Sequence, residues 1–163
     1  EKEHLDTAEL SLSQGWTETA CAALALASHA AQARGDRASS GRAWHQCRDA
    51  MESWPMNRPG ERCGILVDAV GDPLVAVQVL SALAEVLVDG VEEDHSRAPI
   101  IREIISRASE QASRCVSPPQ GAVESLARVE ERVAPYGRGR GGRRRPGSTT
   151  TITTDGQAAA GGK

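Results

Sequence analysis

The sequence contains no phenylalanine, and its 163 residues include only three tryptophans and one tyrosine. A hydrophobic core must therefore be built mainly from aliphatic side chains. Lysine is also scarce, since 17 of the 19 basic residues are arginine. This bias is typical of a bacterial-like genome of high GC content, so part of the composition carries no functional information. The proportions still exclude a collagen, a disulfide-rich miniprotein and a fully disordered chain.

Long apolar runs are absent as well. Asp68, Asp72 and Glu85 interrupt the most hydrophobic stretch, which excludes a transmembrane helix there. The first ten residues, EKEHLDTAEL, lack the apolar segment of a secretory signal. Four cysteines are spread along the chain without a Cys-x-x-Cys pair: Cys21, Cys47, Cys63 and Cys115. We expect buried, reduced thiols in a cytoplasmic protein that does not contact membranes.

Motifs that carry catalysis or metal binding are missing from the sequence. There is no G-x-S-x-G, no H-E-x-x-H and no Walker A loop. His45 and Cys47 are suitable zinc ligands, but two residues apart on a helix they point to nearly opposite sides. The acidic run Glu92–Asp94 lacks the spacing of a calcium loop. We therefore predict no catalytic residues, no metal and no cofactor.

Apolar residues recur at helical spacing along most of residues 3–135. The segments with this pattern are 5–14, 17–34, 38–53, 73–89, 98–114 and 123–133. Ile101, Ile104 and Ala108 belong to the clearest stripe. The sequence predicts one all-α domain over residues 3–135, a compact bundle of five or six helices.

The segment 73–89 is the most apolar of these. Asp72 and Pro73 form a good helix start, a capping side chain followed by proline at the first position. One narrow polar stripe interrupts it: Gln78, Ser81, Glu85 and Asp89. Such a helix either forms the centre of the core or buries a second face in a partner. We expect it at the centre, packed by 98–114 and 17–34, and we treat self-association through it as a further hypothesis.

The segment before this helix is ambiguous. Residues 65–70 and 74–80 are rich in β-branched side chains, and Gly71–Asp72 would suit a turn between two strands. Alanines and leucines after residue 80 favour a helix for the second half. We prefer a helix over 73–89 and leave residues 64–70 open between helix and strand.

Charge is distributed unevenly along the chain. Residues 1–136 hold 13 basic and 21 acidic groups, a net charge of −8, whereas residues 137–163 carry +5. From residue 136 onward no apolar periodicity is left, so we predict a disordered basic tail over 136–163. Five arginines lie there within eight residues: Arg138, Arg140, Arg143, Arg144 and Arg145. Flexible guanidinium groups of this kind neutralise phosphates, which suggests non-specific binding of nucleic acid.

The loop from Trp54 to Gly60 is the second candidate binding segment. Its prolines would hold Trp54, Met56 and Arg58 in a rigid protrusion, and Trp and Arg are frequent anchors of protein interfaces. The alternative is that Trp54 and Met56 fold under the chain as core, because other large side chains are few. We predict these three residues as a partner-binding site and keep the alternative open.

Together these patterns indicate a non-enzymatic helical interaction protein, such as a small adaptor, regulator or assembly component. The alternative is a nucleic-acid-associated accessory protein that contacts phosphates through its arginine-rich tail. An enzyme whose site shows no motif is the least favoured class. The expected partners are another protein or a second copy of the chain.

Overall fold

The computed structural model describes residues 1–136, and these residues form an all-α bundle. Within that range there are seven helices and no strand. The helices are α1 (Lys2–Ser13), α2 (Thr17–Ala33), α3 (Arg37–Glu52), α4 (Pro59–Val70), α5 (Pro73–Val88), α6 (Arg97–Ser113) and α7 (Gln120–Val133). The predicted fold class is confirmed, with one helix more than expected. The predicted tail lies outside the described residues, except for Tyr136, which packs against the core.

The additional helix is α4, so the hairpin alternative for this part of the chain is wrong. Pro59 occupies the first turn of α4, and Gly71 ends the helix in the left-handed conformation at φ 72°. The Asp72 side chain then accepts a hydrogen bond from the backbone N–H of Leu74 at 2.9 Å, and Pro73 opens α5. Glycine and a capped proline at the corner therefore separate two helices rather than two strands.

Two other helix starts differ from the predicted segments by three residues. α1 begins at Lys2 rather than residue 5, and α7 begins at Gln120 rather than residue 123. The start of α3 differs by one residue, because Asp36 caps this helix and its side chain accepts a hydrogen bond from the Ser39 N–H at 3.0 Å.

The centre of the bundle is α5, as predicted. It packs against α2, α3, α4, α6 and α7, and 11 of its 16 residues are buried. Ile101, Ile104 and Ala108 of the α6 stripe are buried against this core. Because the apolar surface of α5 is covered within the chain, the premise for self-association through this helix is wrong.

A buried ion pair joins the first half of the bundle to the second. Glu18 of α2 is only 5% exposed, and its carboxylate lies 2.6 Å from the Arg62 guanidinium of α4. Arg62 also donates to the backbone carbonyl of Asn57 at 2.8 Å. A buried carboxylate is tolerated when it is paired and hydrogen-bonded, as it is here.

Residues 1–136 contain no helix with the length and hydropathy needed to cross a bilayer.

Candidate functional site

The polar stripe of α5 lines a groove. Gln78, Ser81 and Glu85 form part of its floor, and α3 and α7 rise on either side. Both walls pack against α5, yet no Cα atom of α3 lies within 8 Å of a Cα atom of α7 in the described part of the chain. The space between them has a volume of about 780 Å³. We call it the α3–α7 groove.

Small and polar side chains dominate the lining of the groove, together with one tryptophan. The contributions are Ala25, Ser28, His29 and Gln32 from α2, Arg37, Ser40, Gly41, Trp44 and Arg48 from α3, Gln78, Ser81, Ala82 and Glu85 from α5, and Gly121, Ala122 and Ser125 from α7, with Gly35 before α3. Trp44 is partly buried. It is therefore the large apolar side chain that a ligand in this groove would meet.

Glu85 links the two walls to the floor. One carboxylate oxygen lies 3.1 Å from Nη1 of Arg48 on α3, and the other accepts a hydrogen bond from the Ser125 hydroxyl on α7. The Ser81 hydroxyl also donates to the backbone carbonyl of Ala122 at 3.2 Å. These bonds hold α3 and α7 at a set distance from each other, so the groove is formed before any ligand arrives.

The groove continues toward the end of α5. A smaller cleft of about 300 Å³ shares Arg48 and Glu85 with it and is also lined by Arg128 and Arg132. Arg132 lies 3.0 Å from Asp89, the last member of the polar stripe. The stripe therefore runs along a continuous path between α3 and α7.

The electrostatic character of this path differs from that of the whole body. Arg48 and Arg132 are neutralised by Glu85 and Asp89, whereas Arg37 and Arg128 have no ion-pair partner within residues 1–136. The groove thus carries an excess of positive charge in a body whose net charge is −8. Such a surface attracts negatively charged groups in preference to positive ones.

The predicted binding loop, Trp54–Gly60, places its tryptophan in the core and its Arg58 side chain in solvent. Trp54 is only 3% exposed and belongs to the core, and Met56 packs partly buried against it. Arg58 projects into solvent 3.6 Å from Glu61 and adopts a left-handed backbone at φ 50°. The structure thus agrees with the alternative for Trp54, because a core with so few large side chains uses this one. Partner binding by Met56 and Arg58 stays a prediction.

The thiols lie where the sequence suggested, with Cys21, Cys47 and Cys63 buried and Cys115 half-buried, all four free. The Cys47 thiol lies 3.4 Å from the Cys21 carbonyl, and its contact with the Cys21 side chain together with burial raises the pKa of Cys47 strongly. Burial raises the pKa of Cys63 to about 12. These two thiols stay neutral and act as small apolar groups.

No cluster of three or more metal-ligating side chains occurs among residues 1–136. The predicted nucleic-acid contacts Arg138, Arg140, Arg143, Arg144 and Arg145 lie outside the described residues.

Comparison of the chain with protein-family models, with curated proteins and with solved structures finds no match.

The polar stripe on an otherwise apolar central helix was the one feature of the sequence that indicated the α3–α7 groove. Neither Trp44 nor Arg48 was singled out as a site residue. Pairing between Arg48 and Glu85 joins residues 37 positions apart, which no local pattern indicates.

Proposed function

We propose that the protein is a non-enzymatic interaction protein that holds a helical segment of a partner protein in the α3–α7 groove. The observation that carries the proposal is the gap between two helices that both pack against α5 while their backbones stay apart. Binding an amphipathic helix in such a groove is a common mode of peptide recognition.

The dimensions of the groove suit a helix of about three turns. From Gln78 of α5 to Asp89, the residue after its end, the floor extends over 12 residues, or about 16 Å at the rise of an α-helix. Gly41, Ala82 and Gly121 have little or no side chain, which allows a second backbone to approach closely. Trp44 would supply the buried aromatic contact that dominates many interfaces.

Charge favours an acidic segment as the occupant. The guanidinium groups of Arg37 and Arg128 lie toward opposite ends of the path and have no ion-pair partner among residues 1–136. Carboxylates on the partner would pair with them, whereas lysines or arginines would be repelled. Glu85 is already engaged with the two walls, since one of its oxygens is bonded to Arg48 and the other to Ser125. This arrangement favours a structural role for Glu85 over an acid–base role.

Site-specific photocrosslinking tests the proposal. A photoreactive residue replaces Gly41 in the groove or, as the matched control, Gly64 in α4, and a Cβ at either helical glycine has no atom within 4 Å. The full-length variants are irradiated in extract of the source organism, and the crosslinked peptides are identified by mass spectrometry. We expect a crosslink from position 41 to an acidic, helix-forming segment and none to that segment from position 64. Equal labelling from both positions, or none from position 41, would contradict the proposal.

The alternative function, phosphate contact through the arginine-rich tail, is favoured by the charge of +5 in residues 137–163. It is separated from the first proposal by replacing all five clustered arginines with glutamine in the full chain. Binding of labelled DNA and RNA is then measured across a salt series. Binding that weakens steeply with salt and is lost in the variant would support the alternative, because the salt dependence counts neutralised phosphates.

A further inference from the structure

A second groove lies on the other side of α3. Among residues 1–136, the backbone of α1 approaches that of α2 alone, and no Cα atom of α1 lies within 8 Å of a Cα atom of α3. The space between them is about 620 Å³, and Leu24 of α2 contributes to its lining. We call it the α1–α3 groove.

The α1 wall of this groove is mainly apolar, whereas the α3 wall is polar apart from one alanine. Leu5, Ala8 and Leu12 of α1 follow one another at helical spacing on one wall, and Ala50 lies on the other. Leu12 is 50% exposed although it belongs to the apolar stripe of its helix. A stripe that is only half covered within the chain leaves a face that a further helix can bury.

Acidic groups border the apolar strip on both sides. Glu9 on α1 has no ion-pair partner within residues 1–136, and Asp49 on α3 is paired only with His45 at 3.7 Å. No lysine or arginine lines the α1–α3 groove. Its charge is therefore opposite to that of the α3–α7 groove, and it favours a basic occupant.

We propose that the α1–α3 groove binds a basic amphipathic helix from a second partner protein. The lining on each wall spans eight residues, Leu5–Leu12 and Gln46–Ser53, which is about 10 Å or two helical turns. The matching ligand presents apolar residues at i, i+3 or i+4, and i+7, with lysine or arginine on both flanks. If the proposed function holds as well, two grooves of opposite charge on either side of α3 make the protein an adaptor between two partners.

Two other occupants fit this groove less well. A second copy would bring acidic groups against Glu9 and Asp49, because the α1 segment, residues 1–13, holds four acids and one lysine. The chain's own residues 137–163 are basic but contain one large aliphatic residue, Ile152, and no apolar stripe. A basic amphipathic helix of another protein satisfies both the apolar strip and the acidic rim.

A displayed library of helix-patterned peptides tests the proposal. The library varies the charge of the flanks and the spacing of the apolar positions, and it is selected against the full-length chain. Leu12→Asp serves for counter-selection. Ile65→Asp is the matched control, since Ile65 is a similarly exposed aliphatic residue, at 44%, on a helix that does not line the groove. Circular dichroism checks that both variants keep the helical content of the parent.

We expect enrichment of peptides with basic flanks and the i, i+3 or i+4, i+7 apolar pattern. For an enriched peptide, Leu12→Asp should weaken binding at least about tenfold and Glu9→Gln by about twofold to fivefold, with Ile65→Asp within about twofold of the parent. No enrichment over the Leu12→Asp variant, or enrichment of acidic peptides, would overturn the proposal.

Sedimentation of the free protein measures its oligomeric state and so tests whether a second copy occupies the groove. A dimer that Leu12→Asp converts to a monomer would make a second copy the occupant and would also overturn the proposal. A photoreactive residue at Gly41 reports on the α3–α7 groove alone, so failure of either proposal is recognised independently of the other.

Discussion

The core around α5 and the open surfaces around α3 differ in how completely neighbouring helices cover them. In α5, 11 of 16 residues are buried, whereas in α3 only four of 16 are buried. Helices surround α5, but α3 has a groove on each side. The comparison indicates that the contacts that stabilise the bundle are concentrated around α5. The apolar surface of α5 holds the bundle together, and the surfaces beside α3 are the ones that we propose as binding sites for other molecules.

Two leucine substitutions test this division most strongly. Leu80 of α5 is 0% exposed and Leu12 of α1 is 50% exposed. Leu80→Ala should lower the free energy of unfolding by about 3 kcal/mol, because it removes buried methyl groups and leaves a cavity. Leu12→Ala should change it by less than about 0.5 kcal/mol. Urea unfolding of the full-length variants measures both.

Similar losses of unfolding free energy for Leu80→Ala and Leu12→Ala would contradict the contrast between the two sites, because Leu12 would then have to be buried in solution. Repeating the unfolding at several protein concentrations would show whether a second copy provides that cover.

The buried ion pair between α2 and α4 gives the next largest effect. Arg62→Ala leaves Glu18 buried without its partner, which should cost about 2 kcal/mol of unfolding free energy, less than for a fully buried pair because the Arg62 side chain is 26% exposed. Arg58→Ala is the control, since its pair with Glu61 is largely exposed and contributes about 0.5 kcal/mol or less.

Adding Glu18→Gln to the Arg62→Ala variant should restore much of the loss, because it removes the uncompensated charge. A double variant as unstable as Arg62→Ala alone would show that packing of the Arg62 side chain, and not the pairing of charge, stabilises this junction.

Much of the core around α5 could be predicted from sequence, because a buried helix shows a periodic pattern of apolar residues and capping residues at its ends. The stripe around Ile101 and Ile104 predicted α6, and Asp72–Pro73 predicted the start of α5. The segment 64–70 stayed ambiguous because β-branched residues suit both strands and buried helices. In the structure this segment is helical, and it buries Cys63 and Leu66 in the core.

The grooves beside α3 could be predicted only in part. A groove is the space between helices that do not touch, so its existence depends on the whole arrangement and leaves no periodicity of its own. The polar stripe from Gln78 to Asp89 was the one local trace. The burial of Trp54 could not be predicted either, since a tryptophan in a proline-containing loop suits an exposed anchor and a buried core residue equally well.

A glycine in the groove wall should be replaceable with a gain of stability. Gly41 lies in the interior of α3, where a Cβ meets no atom within 4 Å. Gly41→Ala should therefore raise the free energy of unfolding by about 0.5–1 kcal/mol, because alanine loses less chain entropy in a helix. Gly71→Ala is the opposite control, since its φ of 72° strains any side chain. Thermal unfolding of both variants measures the difference, and a loss for Gly41→Ala would mean that the groove is narrower in solution.

The smallest expected effect concerns the start of α3, at one end of the α3–α7 groove. Hydrogen bonds from the backbone N–H and hydroxyl of Ser39 hold the pKa of Asp36 below its ordinary value of 3.8. Because the pKa is lower in the folded state, the stabilisation from this cap is present above about pH 4. It is lost as the pH falls through the lowered value. The stability gap between the parent and Asp36→Ala should therefore be constant near neutral pH and shrink below about pH 4.

Asp36→Asn separates the charge of this cap from its hydrogen bond. The asparagine amide accepts the same bond without titrating, so its gap to Asp36→Ala should persist to low pH. Unfolding midpoints in urea between pH 7 and pH 2 measure all three proteins. If the parent also kept its full advantage over Asp36→Ala at pH 2, the ionised carboxylate would not be the stabilising form. Because Asp36 is exposed and Leu80 is buried, we expect the stability difference between the parent and Asp36→Ala to be small beside the loss for Leu80→Ala.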